Sequence, residues 1–234
     1  MKEKLNKILK KFNEIDQDYL KNDFHIHSTW TDGKHSILEN INYSKSLNMR
    51  AIAITDHIRE SSVYFDEYDI EIKKLAKEQQ FNILTGFEAR IKDFSGNLDV
   101  KEYVQKSSDV RIASVHRFPF ASKLFEANCF SKDAAQAIEF ELCCSAIKHS
   151  DFDILGHPGG MCLKEFDDFS TEYFDQIIYL CSKHNIAFEI SYAYHSKIYY
   201  NLVNLLKKHN PFVIFSSDAH AKEKIGIWHS KIKI

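Results

Sequence analysis

Nine side chains of the types that bind metal ions lie in short clusters, and almost every cluster ends a strand-like run of apolar residues. The nine are His25, His27, Asp32, His57, Glu88, His116, His157, Asp218 and His220. Because the carboxyl ends of parallel strands meet at one rim, side chains in these positions can converge on a single pocket. Six imidazoles and three carboxylates at one rim would bind several divalent cations. The pattern therefore favours a fold in which many strand ends face each other.

Strand-like and helix-like patterns alternate along the chain. The strand-like runs are Phe24–His27, Arg50–His57, Phe81–Glu88, Val110–His116, Phe152–His157, Ile186–Ile190 and Phe212–Ser216, and helical periodicity covers 36–48, 66–79, 131–148, 170–184 and 196–209. Residues 93–99 predict a hairpin turn followed by a short helix. Strands that alternate with helices favour an α/β fold with a parallel sheet, and seven of them predict a closed or nearly closed barrel.

The first twenty residues have a pattern of their own. Apolar side chains recur at helical spacing over residues 4–20 with lysines between them, which predicts an amphipathic helix. Four acidic residues dilute its positive charge, so a cap on the end of the barrel is favoured over a membrane contact. A dimer contact is the alternative, and the oligomeric state stays open. The chain has only 7 Gly and 3 Pro and lacks a linker-like tract, which predicts one domain over residues 1–234.

Composition limits the class of protein. Charged residues make up 27% and hydrophobic residues 44% of the chain, which is ordinary for a soluble globular protein. The formal net charge of −2 disfavours a general nucleic-acid binder. The 5 cysteines form no Cys-x-x-Cys pair, and an odd number disfavours a disulfide framework. No apolar run reaches membrane-spanning length and no signal peptide is evident, so we expect a cytoplasmic protein.

The conjunction of clusters is more informative than any one of them. A lone His-x-His pair occurs by chance, and a lone histidine at a strand end is more often structural. His25 and His27, however, lie two residues apart on one strand and point to the same side, as do Asp218 and His220. Burying this many polar groups together without a counter-ion would be costly. Metal binding therefore explains the pattern better than a structural role.

These motifs resemble those of the polymerase and histidinol phosphatase (PHP) superfamily. The matching stretches are Phe24–Ser28 with Asp32-Gly33, Thr55–His57, Gly86–Glu88, Ser114–His116, Gly156–Pro158 and Ser217–His220. The resemblance spans residues 24–220 and follows the family's order of motifs. It implies a distorted seven-stranded (β/α)7 barrel, with a trinuclear metal centre at the C-terminal mouth and phosphoesterase activity. Ser191 stands where the family often has asparagine, so a role that depends on that asparagine is in doubt.

The resemblance also implies how the ligands would be shared among the ions. His25, His27, Glu88 and Asp218 would hold one ion, Glu88 would bridge to a second ion bound by His116 and His157, and Asp32, His57 and His220 would hold a third. We expect two or three divalent ions. The donors are nitrogen and oxygen only, which suits Zn, Mn or Fe and does not select among them.

A reaction follows from such a centre. The ions would bind the phosphate as Lewis acids and lower the pKa of a water toward about 7, so that hydroxide attacks the phosphorus. Asp218 or His220 would position or deprotonate that water. His195 is a candidate general acid, with an exposed histidine at a helix start as the competing interpretation. Asp56 would point away from the site and orient a ligand histidine.

Three arginines are candidates for holding the phosphate. Arg59, Arg90 and Arg117 each follow a candidate ligand by one or two residues, and Arg117 and Arg59 are favoured. A surface salt bridge is the alternative for each. The loop that begins at Arg117 carries two phenylalanines and is a candidate lid or pocket wall.

Three functions compete. The first is a phosphatase acting on histidinol phosphate or another small phosphorylated metabolite. The second is a nuclease or nucleotide phosphodiesterase that uses the same site, which would need a basic groove and stacking aromatic residues. The third is a non-catalytic, metal-stabilised binding module, although a structural site needs only four ligands. We expect a small phosphorylated substrate and neither a membrane nor a nucleic acid as partner.

Overall fold

The strands of the chain build one large sheet and one hairpin. The structure, a computed structural model, describes residues 3–121 and 123–233. The strands are β1 (Lys10–Lys11), β2 (Asn22–Ile26), β3 (Ala51–Ile54), β4 (Asn82–Arg90), β5 (Val110–Ser114), β6 (Phe118–Phe120), β7 (Lys123–Phe125), β8 (Ile154–Gly156), β9 (Ala187–Ser191) and β10 (Phe212–Ser216). Eight strands form a sheet in the order β1-β10-β9-β8-β5-β4-β3-β2, and β6 pairs with β7.

Helices connect most of these strands. They are α1 (Glu3–Asn6), α2 (Ile37–Ser46), α3 (Phe65–Gln79), α4 (Glu102–Ser107), α5 (Lys132–His149), α6 (Gly160–Phe166), α7 (Thr171–His184), α8 (Tyr192–His195), α9 (Tyr199–His209) and α10 (Ile227–Lys231). Single 3₁₀ turns lie at Phe12–Glu14, Gln17–Lys21, Ala127–Cys129 and Lys222–Lys224. The five long helices fall within three residues of their predicted bounds. Within the described part of the chain, no helix is long and apolar enough to cross a lipid bilayer.

The sheet curls into a barrel. Seven strands, β2 to β5 and β8 to β10, run parallel, and only the two-residue β1 is antiparallel to its neighbour β10. The two edges meet where Ile26, at the end of β2, forms a parallel bridge with Ala219, just after β10. The prediction of a distorted seven-stranded barrel is therefore confirmed.

Apolar side chains from the strands fill the interior of the barrel at its N-terminal end. Ala51 and Ala53 of β3 belong to this interior cluster, whereas Ile52 and Ile54 pack in the cluster beneath the helices. Such alternation is the period-two pattern of a strand with two buried faces. The register between β2 and β3 shifts between Asp23 and Ile26. Because of this shift, Phe24 joins the interior cluster and Ile26 joins the cluster beneath the helices. Polar side chains therefore occupy the C-terminal end of the barrel.

The prediction of one amphipathic helix over residues 4–20 is wrong. The segment contains only the four-residue α1, the strand β1 and two 3₁₀ turns. Pairing of Lys10 and Lys11 with Val213 and Phe212 of β10 replaces helical hydrogen bonds, so tertiary contacts override local periodicity. Leu5 belongs to the interior cluster of the barrel, which explains why this segment is apolar at intervals.

The hairpin turn and short helix predicted after Glu88 are present. Ile91 and Leu98 form an antiparallel bridge around the turn, and α4 follows it. The loop that begins at Arg117 also contains paired strands, because β6 and β7 run antiparallel to each other.

Replacement of Leu5 tests the role of the N-terminal segment. The side chain is 0% exposed and packs inside the barrel, so Leu5→Ala should lower the free energy of unfolding by about 2–5 kcal/mol. Lys7→Ala, at an exposed surface pair with Glu3, is the matched control and should change it by less than about 1 kcal/mol. Urea unfolding measures both, and equal effects would contradict a structural role for Leu5.

Candidate metal centre

Glu88 on β4 lies at the middle of the barrel mouth, and five imidazoles surround its carboxylate. Oε1 lies 3.1 Å from His116 Nε2 and 3.0 Å from His157 Nε2. Oε2 lies 2.9 Å from His57 Nδ1, 3.5 Å from His25 Nε2 and 3.7 Å from His27 Nε2. The carboxylate is 1% exposed. A single buried carboxylate thus connects residues from four strand ends.

Two further carboxylates complete the arrangement. Asp218 Oδ1 lies 3.3 Å from His27 Nε2 and 3.7 Å from His25 Nε2. Asp32 Oδ2 lies 3.3 Å from both His57 Nε2 and His220 Nε2. The structure therefore brings all nine predicted ligands together at the C-terminal mouth.

These separations are those of atoms that share an ion. Two ligand atoms about 2.0–2.2 Å from one ion lie about 2.9–3.6 Å apart in tetrahedral or octahedral geometry. The nitrogen-to-oxygen distances around Glu88, Asp32 and Asp218 span 2.9–3.7 Å. Three groups of ligand atoms meet the spacing for an ion: His25, His27 and Glu88; His57, Glu88 and His116; and His27, Asp32, His57 and His220.

Buried nitrogen atoms without partners provide an independent test of fit. Three ring nitrogens are buried and have no hydrogen-bond partner among the described residues: Nε2 of His25 and both nitrogens of His27. A buried imidazole nitrogen without a partner is unfavourable. Each of these rings has a nitrogen aimed at Glu88 or Asp218 from 3.3–3.7 Å, too far for a strong hydrogen bond and suitable for a bridging cation. The residues present thus fit divalent ions.

The centre is more open on one side than on the other. His25, His27 and Glu88 are almost fully buried, whereas the side chains of Asp32 and His220 are 52% and 40% exposed. An ion on the exposed side would keep coordination positions for water and substrate, as catalytic metal sites do. The centre is therefore most accessible to solvent on the side of Asp32 and His220.

Glu189 is an important residue that the sequence reasoning did not select. It lies in β9 and is fully buried, and its Oε1 lies 2.6 Å from His25 Nδ1. Its Oε2 accepts a short hydrogen bond from the backbone N–H of His157. A carboxylate on one imidazole nitrogen fixes the tautomer that leaves the other nitrogen free for a metal ion. The strand end and the acidic residue type were visible in the sequence, but the partners of Glu189 come from β2 and β8.

Two of the candidate ligands have unusual backbone angles. His157 has φ of 26° and Asp218 has φ of 52°, in the left-handed region that non-glycine residues rarely adopt. Glu189 holds the N–H of His157, and Asp23 Oδ1 accepts the N–H of Ser217 at 3.0 Å. Buried carboxylates therefore stabilise the strained turns that aim these ligands into the centre.

Asp56 does not orient a ligand histidine, so that expectation is wrong. Its carboxylate accepts hydrogen bonds from Ser28 N at 2.9 Å, Ser28 Oγ at 2.7 Å and Thr31 Oγ1 at 2.6 Å. These bonds fix the loop that leads from β2 to Asp32. Gly33 completes the loop, because a Cβ there would lie 2.5 Å from the carbonyl carbon of His27.

His195 does not fit the general-acid role. It is 0% exposed, Nδ1 accepts the backbone N–H of Ser191 at 3.1 Å, and Nε2 donates to the carbonyl of Pro158 at 2.9 Å. Burial lowers the pKa of His195 to about 4, so the ring is neutral at physiological pH. The competing interpretation, an exposed histidine at a helix start, is also wrong because His195 ends α8 in the core.

The three candidate arginines differ in position. Arg59 Nη1 lies 3.4 Å from the backbone oxygen of Glu88, beside the centre. Arg90 donates to Asp99 Oδ2 at 2.5 Å, and Arg59 Nε lies 4.0 Å from the same oxygen. Arg117 pairs with Glu126 across the hairpin. Arg59 and Arg90 thus share the single carboxylate of Asp99, which leaves one positive charge uncompensated beside Glu88.

Protons compete with metal ions for this centre. Burial lowers the pKa of His57, but its hydrogen bonds and charge interactions with Asp32 and Glu88 outweigh this effect and raise the pKa to about 9. In the metal-free protein a proton therefore stays on His57 until the pH passes about 9.

The affinity for Mn²⁺ should consequently keep rising from pH 7 to pH 9, by about tenfold per pH unit for each ligand proton released. His57→Ala should reduce this slope by about one proton, and His149→Ala, at an exposed histidine that ends α5, should leave it unchanged. Competition against a chelator at several pH values measures the slope. Equal slopes in all three proteins would contradict a role for His57 as ligand.

Glu189→Gln tests the role of the buried carboxylate. The amide keeps the size of the side chain but removes the charge that holds His25 and His157, so metal affinity should fall by about 10–100-fold. Glu165→Gln, at an exposed glutamate, should have no effect. Calorimetric titration with Zn²⁺ measures both variants, and an unchanged affinity in Glu189→Gln would show that Glu189 does not orient the ligands.

Comparison with known proteins gives one family. The PHP domain family matches residues 23–193. The chain is 28% identical over 221 residues to the DNA polymerase/3'-5' exonuclease PolX of Bacillus subtilis, covering 90% of this chain and 36% of PolX. It is 26% identical over 210 residues to a probable phosphatase of Clostridium botulinum, covering 87% of this chain and 80% of that protein. The chain thus spans about a third of PolX and most of the phosphatase.

A solved structure has a similar fold. Histidinol phosphate phosphatase from Lactococcus lactis, in complex with zinc, L-histidinol and phosphate, superposes with a TM-score of 0.73 at 19% identity. The likeness covers 90% of each chain. At this identity the comparison supports the architecture of the barrel.

Proposed function

This chain belongs to the PHP domain family of metal-dependent phosphoesterases, and from that premise we propose that it hydrolyses the phosphomonoester of a small metabolite. The observation that carries the proposal is the ring of five imidazoles around Glu88, at distances that suit shared cations. Its relative of similar length in Clostridium botulinum is described as a probable phosphatase.

We assign the ligands in three groups. His25, His27, Glu88 and Asp218 would hold one ion, Glu88, His116 and His157 a second, and Asp32, His57 and His220 a third. The grouping of the atoms around the two oxygens of Glu88 supports the first two sets. The common distance of His57 and His220 from Asp32 Oδ2 supports the third. The donors suit Zn, Mn or Fe.

Bound divalent ions would supply Lewis acidity toward the phosphate and toward an attacking water. The protein's own residues position these groups. Burial raises the pKa of Asp218, but His25 and His27 outweigh this and lower it, so Asp218 stays ionised and can orient the water by accepting its hydrogen bond. His220, on the exposed side, is the second residue placed to orient water. Arg59 lies beside Glu88, where its guanidinium can bind a phosphate oxygen.

Charge balance favours a monoester. Three divalent ions against the carboxylates of Asp32, Glu88, Asp218 and Glu189 leave two positive charges, and Arg59 and Arg90, which share Asp99, add a third. A phosphomonoester dianion together with the attacking hydroxide neutralises that charge, whereas a diester with hydroxide supplies only two negative charges. Mutual neutralisation in a largely buried site is favourable because screening by water is weak.

Hydrolysis of nucleic acid or nucleotide diesters is the second candidate, favoured by the 28% identity to PolX. Five aromatic residues near the strand ends are candidates for base stacking, namely Trp30, Tyr64, Phe65, Phe118 and Phe120, but they do not support this function equally. Phe65 and Phe118 are buried, and Trp30 stacks on Tyr64 with ring centroids 5.5 Å apart. Of the five, Phe120 is the one with a large exposed area, at 61%. A single exposed ring gives a weak platform for a strand of bases.

Hydrolysis of a panel of esters tests the proposal, with phosphate release measured for the monoesters and release of p-nitrophenol or of shorter fragments measured for the diesters. The protein would be loaded with Mn²⁺ or Zn²⁺ and given L-histidinol phosphate, p-nitrophenyl phosphate, nucleoside monophosphates, bis(p-nitrophenyl) phosphate and an oligonucleotide. We expect turnover of monoesters, and His116→Ala should lower kcat/KM by at least about 100-fold because it removes a metal ligand. His149→Ala is the matched control and should be fully active.

Two outcomes would contradict the proposal. Faster turnover of diesters than of any monoester would support the second candidate. Absence of turnover on every ester, with metal content confirmed, would favour a binding role.

A further inference from the structure

A stacked pair of aromatic rings joins two of the loops that carry candidate ligands. Trp30 lies in the loop between β2 and α2, next but one to Asp32, and Tyr64 ends the loop between β3 and α3 that begins with His57. The two rings stack with centroids 5.5 Å apart and an interplanar angle of 24°. Both are partly buried and pack against the core beneath the helices. The loop of Asp32 is therefore in direct contact with the loop of His57.

Tyr64 bonds directly to a candidate ligand. Its hydroxyl donates a hydrogen bond to the backbone carbonyl of His57. A tyrosine hydroxyl keeps its proton at physiological pH, so this bond is present whenever the protein is folded. The ring of the same histidine points Nε2 at Asp32 Oδ2, 3.3 Å away. The hydroxyl thus fixes the backbone from which the His57 ring reaches toward Asp32.

Helix α3 holds both rings in place. Trp30 Nε1 donates to Glu71 Oε2 at 2.7 Å, and Tyr68 packs edge-on against both Trp30 and Tyr64, with centroids 6.0 and 6.4 Å away. The Tyr68 hydroxyl donates to the carbonyl of Ile54 at 2.7 Å, which ties the helix to β3. The pair is therefore anchored to a helix and, through it, to the barrel.

The ion assigned to Asp32, His57 and His220 depends most on such an anchor. The other two sets of ligands both include Glu88, which lies within β4, whereas these three residues all lie in loops outside the ten strands and the helices. The first loop also contacts the third, because Lys34 N donates to the carbonyl of His220 at 2.8 Å. Ligands from separate loops bind an ion tightly only if the loops are held at a fixed spacing before the ion arrives.

We propose that Trp30 and Tyr64 are positioning residues for the exposed ion, the one held by Asp32, His57 and His220. The pair keeps the first two loops at the spacing that the ion requires and leaves the two ions at Glu88 unaffected. The inference rests on the proposed function, because it takes over the grouping of the ligands made there.

Stepwise binding of Mn²⁺ tests the inference. Elemental analysis at free Mn²⁺ concentrations set by a chelator buffer gives the affinity of each step. Asp32→Ala identifies the step of the exposed ion, because it removes a ligand of that ion alone. Trp30→Ala and Tyr64→Ala should weaken the same step by at least about tenfold and change the other steps by less than about twofold. Trp30→Ala added to Asp32→Ala should have no further effect.

Milder variants separate the hydroxyl from the ring. Tyr64→Phe keeps the stacked ring and removes only the bond to His57, so the exposed ion should bind about twofold to tenfold more weakly. Trp30→Phe keeps an aromatic ring against Tyr64 and should retain more affinity than Trp30→Ala. Phe140→Ala is the matched control, because it breaks a partly buried stack with Tyr173 between α5 and α7, with centroids 4.3 Å apart. It should leave every step unchanged.

Each result either supports or overturns the inference. An unshifted exposed step in Trp30→Ala and Tyr64→Phe, or an equal loss at every step, would show that the pair does not position this ion. Tyr64→Phe decides the matter if Trp30→Ala fails to fold. Turnover of monoesters with an unshifted step would overturn the inference and leave the proposed function standing. A selective shift without turnover of any ester would do the reverse.

Discussion

The carboxylate of Glu88, buried among five imidazoles, is the interaction on which the mouth of the barrel depends. A buried carboxylate is unfavourable unless positive charge or hydrogen bonds compensate it, and five adjacent imidazoles cannot all carry protons without repelling one another. Divalent ions between oxygen and nitrogen relieve both problems, since they neutralise the acid and accept neutral imidazoles as ligands. The apolar interior at the other end of the barrel holds the strand ends at the required separations.

A second set of carboxylates holds the backbone on which the ligands sit. Glu189 fixes His25 and the N–H of His157, Asp23 accepts the N–H of Ser217, and Asp56 holds the loop that leads to Asp32. Two of the turns that they hold have left-handed backbone angles, at His157 and Asp218. Such turns persist only when surrounding contacts stabilise them, so the ligand geometry is largely set before any ion binds.

The sequence predicted the parallel barrel, because period-two burial and helical periodicity are local properties. It also indicated the nine candidate ligands that meet at the mouth, because these residue types follow strand ends. Glu189 was missed since its partners come from other strands. The expectation for His195 was wrong because Phe174, Phe188 and the Pro158 carbonyl surround it only in the folded chain. The prediction of an N-terminal helix was wrong because β1 pairs with β10, and this pairing competes with helical hydrogen bonds.

Metal content of the Glu88→Gln variant is the most direct test of this account. Glu88 contacts two of the three proposed ion positions, so the variant should keep only the ion held by Asp32, His57 and His220. We therefore expect elemental analysis to find two or three divalent ions per chain in the natural protein and about one in the variant. Near-ultraviolet circular dichroism would establish that the variant is folded. A folded variant with an undiminished metal content would contradict the central role of Glu88.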